Sequence, residues 1–201
     1  MSWIKVIGFE EATGKLKSIY NKIKGPNGQI DNVLSIHSLR PHTLVGHMSL
    51  YKNTLHHSNN SFPNWLLELL GTYTSYINKC DYCYEHHFAG MKRFLNDSKK
   101  AEELKQHIEN GTLSRLLPEK EYALINYAHK LTLLPDNLSK ADIAYLKNLG
   151  YDDGEILEVN QVVAYFNYAN RTVMGLGVTT QGEVLGLSPN NKDDENAWEH
   201  S

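Results

Sequence analysis

Apolar residues in this chain return every three or four positions, segment after segment, and almost nowhere every second position. That periodicity admits helices and disfavours a sheet, because a half-buried strand needs alternate residues on one face. Gly and Pro punctuate the pattern and set the joints. Residues 9–24 carry Leu16, Ile19, Tyr20 and Ile23 on one stripe, which Gly25-Pro26-Asn27-Gly28 ends. A short helix is expected over 31–38, stopping before Pro41, and a longer one over 41–57 with Leu44, Met48, Tyr51 and Leu55 in register. Pro63 suits the first turn of the next, where Leu66, Leu67, Leu69 and Leu70 follow. Another should begin near Asn78, as its N-cap, and run to Leu95, with a further helix over 98–109. Pro118 opens one carrying Leu124, Tyr127, Ala128 and Leu131. Ser139 caps a helix over 140–149 that Gly150 closes, and Asp152 or Asp153 caps the last, through Arg171. Val162-Val163 falls inside this periodicity with no hairpin signal beside it. The reading is an all-α chain of about eight helices, one domain over 1–180 followed by a polar tail over 181–201.

The chain's 201 residues, 41% hydrophobic and 21% charged, suffice for one domain with a sizeable core. A net charge of −3 leaves no basic excess for phosphate contacts, so nucleic acid is not an expected partner. No apolar run approaches the ~18 residues that cross a bilayer, and the opening MSWIKVIGFEEATGK lacks the apolar core of a signal peptide. No membrane partner and a cytoplasmic location are therefore expected. The cytoplasm keeps thiols reduced, and there a CxxC is more often catalytic or metal-binding than a structural staple. A bridge closing so short a loop would also stabilise little.

The only two cysteines, Cys80 and Cys83, lie in the stretch ELLGTYTSYINKCDYCYEHH, residues 68–87. Cys80, Cys83 and His87 fall at i, i+3 and i+7, on one face of a helix. Near a helix start, unpaired N–H groups and the positive dipole end favour thiolate over thiol. A second thiol within reach can resolve a sulfenic acid formed on the first, and His87 can carry the proton. On one continuous helix Glu68 would point about 120° away from Cys80. It reaches the pair only if the chain breaks between 71 and 79, where Gly71, Thr72 and Thr74 stand.

Glu68, eleven residues, Cys80, two residues, Cys83, three residues, His87: this pattern resembles the active-site signature of the AhpD-like alkylhydroperoxidases. These belong to the carboxymuconolactone decarboxylase superfamily, and the wider context is similar to its peroxidase-related branch. Arg40-Pro41, Tyr165-Phe166-Asn167 and Asn170-Arg171 extend the resemblance over roughly residues 6–178. The resemblance implies an AhpD-like helical bundle that forms a homo-oligomer, and a thiol peroxidase acting on a hydroperoxide substrate. It makes Cys83 peroxidatic and Cys80 resolving, with Glu68 and His87 relaying protons. An external thiol or dithiol reductant must reopen the disulfide, because the chain has no third cysteine. No metal, haem, flavin or other cofactor is required. One position departs from the pattern: the best-known members have His just before the second cysteine, where this chain has Tyr82.

Other readings use the same residues. The dithiol could serve a disulfide reductase, a redox adaptor or a sensor. Alternatively Cys80, Cys83 and His87, with His86 or Glu85, could bind zinc, although adjacent His86 and His87 diverge by about 100° on a helix. His47, His56 and His57 are expected to be surface or satisfied core histidines, His86 solvent-facing or packed, and Tyr82 and Tyr84 packing residues. Asn167, Asn170 and Arg171 are expected in structural roles.

Overall fold

The computed structural model describes residues 2–25, 28–190, 193 and 200. Among them are nine α-helices, eight of seven residues or more, and no strand, so the all-α expectation stands. They are α1 (Gly14–Ile23), α2 (Asn32–Ser35), α3 (Pro41–Tyr51), α4 (Asn64–Ile77), α5 (Asp81–Leu95), α6 (Ser98–Glu109), α7 (Glu119–Leu133), α8 (Lys140–Asn148) and α9 (Asp153–Gly175). Among the described residues no helix is long and apolar enough to cross a membrane.

The antiparallel pair α4–α5 forms the centre, and α9 packs across it while also touching α7. Leu67, Leu70, Met91, Leu124, Val162 and Phe166 fill the main core. A second cluster joins α1 to α3 through Leu16, Tyr20, Ile23, Leu44 and Met48. Gly71 does not break α4. A Cβ there would lie 2.1 Å from the Phe166 ring, so a bare backbone is what lets α9 approach this closely.

The break falls at the end of α4, where Asn78 is the C-cap rather than the N-cap of α5. Lys79 N–H donates to Tyr76 O (3.0 Å) and Cys80 N–H to Ser75 O (2.9 Å), the paired bonds of a Schellman turn. Lys79 takes the left-handed position, φ 59°, that glycine usually fills. Cys80 then becomes the N-cap of α5, which starts at Asp81. Asn78 was misread because Asn is favoured at either end of a helix.

Other boundaries moved by a few residues. The first helix begins at Gly14 instead of residue 9, and the last runs on to Gly175. Asp152 and Glu155 form a reciprocal capping box, as Asp152's position suggested. The segment expected over 41–57 divides, with Lys52–His56 continuing α3 as a π-helical turn. Most of the tail expected over 181–201 beyond residue 190 lies outside the described residues. Its described start is not detached: Gly186 comes against Ala89 and Gly90 of α5, and Ser188 accepts a hydrogen bond from Arg93.

Candidate active site

The α4–α5 joint fixes the two sulfurs. Cys80 holds the cap position of α5, and Cys83, three residues on, ends its first three helical positions. Both are buried free thiols, hydrogen-bonded to one another and not joined by a disulfide. The Cys80 thiol is held below its ordinary value, chiefly because Cys83 donates a hydrogen bond to it. Cys83 is pushed well above its ordinary value by that same donation and then by burial, against a lowering contribution from the Asn170 side chain. Of the two coupled sulfurs, Cys80 is therefore the one that gives up its proton more readily.

Asn170 is itself fixed on α9, accepting from Asn78 Nδ2 (2.9 Å) and donating to Ser75 Oγ (3.1 Å). Asn167 accepts from both Asn78 and Arg171, so this trio ties α9 to the joint, the structural role expected of it.

Glu68 and His87 meet as the spacing suggested. His87 Nδ1 lies 2.7 Å from Glu68 Oε2, and the Glu68 side chain is buried. Gly90, one turn beyond His87 on α5, makes room for that carboxyl, since a Cβ there would lie 3.2 Å from it. The His87 ring stands edge-on to Phe166, with centroids 4.4 Å apart.

His56 also belongs to this cluster, as a buried histidine whose partners the sequence did not show. Its Nε2 lies 2.8 Å from the Tyr51 hydroxyl and 3.6 Å from Glu68 Oε1. Residues five apart diverge by about 140° on an α-helix; the wider π turn brings Tyr51 and His56 together. His47 is likewise buried, with its ring 5.1 Å from that of His37. Burial first, and then neighbouring His37 and His87, lower its pKa to about 3, so it is a neutral wall of the site.

Of these groups Cys83, Glu68, His87, His47 and Tyr51 line one cavity of about 60 Å³, together with Tyr165. One water needs about 10–15 Å³ by this measure, so a small substrate head group fits. Cys80 does not line it. It lines a separate hollow, which Tyr82 also borders.

Tyr82 is more than a packing residue. Its hydroxyl donates to Glu183 Oε1 (2.9 Å) and accepts from Val33 N–H (3.2 Å). The His86 ring lies tilted against Tyr82, with centroids 4.6 Å apart, and places Nε2 3.4 Å from Glu183 Oε2. Asp31 stands at the same end of the cavity, with its pKa raised to about 6 by burial and then by Glu183, partly offset by His86. Asp31 and Glu183 were missed because one precedes a four-residue helix and the other follows the last, where periodicity says nothing. Among the described residues no group of three or more His, Cys, Asp or Glu is placed to hold a metal ion.

No protein-family model matches this sequence, and no curated protein is similar to it at the sequence level. The architecture is nevertheless that of the AhpD-like proteins. A peroxidase-related protein with an alkylhydroperoxidase AhpD core, from Ralstonia eutropha JMP134, superposes with a TM-score of 0.72 at 18% identity, covering 89% of this chain and 91% of its own. An uncharacterized peroxidase-related protein from Silicibacter sp. TM1040 gives 0.65 at 24% identity over 76% and 77%. A cysteine-to-alanine variant of the debrominase Bmp8, in complex with 2,3,4-tribromopyrrole, gives 0.64 at 17% identity over 84% of each chain.

Proposed function

We propose that this chain is a thiol-dependent peroxidase that reduces hydroperoxides through a Cys80–Cys83 dithiol/disulfide cycle. The observation that carries the reading is that Cys83 opens onto the same small cavity as a Glu68–His87 pair held at 2.7 Å. As Cys83 attacks the outer oxygen of the peroxide, the proton it donates in the hydrogen bond passes to Cys80 in its thiolate form. The O–O bond breaks, giving a sulfenic acid on Cys83 and an alkoxide, which takes a proton to leave as an alcohol. With Nδ1 committed to Glu68, Nε2 of His87 is the nitrogen left to handle that proton. The Cys80 sulfur then displaces water from the sulfenic acid and forms the disulfide. Two electrons from an external thiol or dithiol return the pair to its resting state. On this reading that reductant is set in the cytoplasm. Apolar side chains left exposed on α3 (Val45, Leu50) and α9 (Leu157, Tyr168) favour association with further copies of the chain.

One equivalent of hydroperoxide should consume both thiols, and a dithiol reductant should restore them. Cys80→Ser should accumulate a trappable sulfenic acid, whereas Cys83→Ser should not react. Sustained turnover with reductant separates this enzyme from a disulfide reductase or a sensor. Untouched thiols together with bound zinc would refute the reading.

A further inference from the structure

The pair faces two ways. Cys83 opens onto the cavity of about 60 Å³, while Cys80 borders a hollow of about 260 Å³ with Lys79, Asp81, Glu85, Met174 and Thr180 around it. Tyr82 borders both and separates them. We infer that the hollow at Cys80 is the binding site of the reductant, a small neutral or cationic thiol, which opens the disulfide from the side opposite the peroxide. This deepens the peroxidase reading and rests on its dithiol cycle.

The two sulfurs make unequal targets. A thiolate attacking Cys80 forms a bond to that sulfur and breaks the S–S bond, and the electron pair leaves on Cys83. The Asn170 side chain faces the departing Cys83 thiolate, and it is the access the hollow gives to Cys80, not leaving-group strength, that sets the direction of attack. A second thiol then attacks the outer sulfur of the mixed disulfide, releasing an oxidised reductant and the Cys80 thiolate. Attack on Cys83 would instead route the reductant through the smaller cavity.

Size and charge define the occupant. Cys80 is only 1% exposed, so a folded protein surface does not reach it, and its reductant must be small enough to enter the hollow that Cys80 lines. Two carboxylates, Asp81 and Glu85, stand there against one ammonium, Lys79. That balance disfavours an anionic thiol.

The full chain is oxidised with diamide, which forms the disulfide without any peroxidase activity. Its reduction by cysteamine, 2-mercaptoethanol and 3-mercaptopropionate is then followed by alkylation and mass spectrometry, with rates expressed per thiolate. At low ionic strength cysteamine should exceed 3-mercaptopropionate by about threefold or more, a gap that salt and Glu85→Gln both narrow. Met174→Trp, which fills the hollow, should slow all three thiols by about tenfold, while its single oxidation by hydroperoxide stays within about twofold of the parent. The trapped mixed disulfide should map to Cys80. Mapping to Cys83, or reduction indifferent both to thiol charge and to Met174→Trp, overturns the inference. If Met174→Trp does not fold, the thiol series and the mapping decide on the parent chain. Failure of the peroxidase reading shows separately, as thiols that diamide oxidises and hydroperoxide does not.

Discussion

Replacing Asp31 by Asn should stabilise this protein at neutral pH and leave it nearly unchanged in acid. Asp31 and Glu183 crowd two carboxyl groups into one partly desolvated end of the cavity, with His86 offsetting only part of the effect. The Asp31 pKa rises from 3.8 to about 6, so between those values the folded state binds more protons than the unfolded one. Stability is then lost as pH rises through that window, and the whole penalty is present above it. A shift of about two units corresponds to roughly 3 kcal/mol, and the residual solvent contact of Asp31 lowers the expectation to about 1–3 kcal/mol. Asn is isosteric and as good at the N-cap of α2, so little else changes. Urea titrations at matched protein concentration should show the gain at pH 7.5 and less than about 0.6 kcal/mol of it at pH 4. An equal gain at both pH values, or a loss at pH 7.5, would show that Asp31 is not strained by its charge.

Three further substitutions test the frame and the relay. Gly71→Ala drives a methyl group into the Phe166 ring and should cost about 3 kcal/mol by calorimetry, part of it recovered when Phe166 is shortened to Leu. Lys79→Gly relieves a left-handed backbone at the α4–α5 joint and should raise stability by about 0.5–1 kcal/mol, read as a higher thermal midpoint. Glu68→Gln should slow thiol oxidation by hydroperoxide by about 10²-fold, while diamide still closes the disulfide. Equal slowing of both oxidants would mean that Glu68 shapes the pair and does not handle its protons.

Much of this was legible in the sequence because helix periodicity is a local signal. The stripes of α1 and α7 and the caps at Ser139 and Asp152 could be read from a dozen residues at a time. The Glu68, Cys80, Cys83 and His87 spacing could be read too, given a break, but its location could not. Gly71 looked like a hinge, and its true cause, the Phe166 ring, lies some ninety positions away. His56 was hidden for another reason: the π turn shifts it onto a face that an α-helical count assigns elsewhere. Glu183 was hidden because its partners, Asn32, Tyr82 and His86, are gathered only by the fold.

Tyr82 shows how the fold reassigns a position that the sequence marked only as a departure. Where the best-known members of the resembled family have an imidazole, this chain has a phenol whose pKa burial and Glu183 raise well above the ordinary value. Its proton is directed at Glu183 and its oxygen is occupied by Val33 N–H, so it neither takes nor gives a proton near neutral pH. His86 faces the same Glu183 and not Glu68. In the proposed cycle the proton at Cys83 is handled by His87, which is paired with Glu68, and Glu68 in turn faces His56 and Tyr51. Under the two-sided reading of the dithiol Tyr82 serves instead as the partition between its two openings, held in place by two hydrogen bonds.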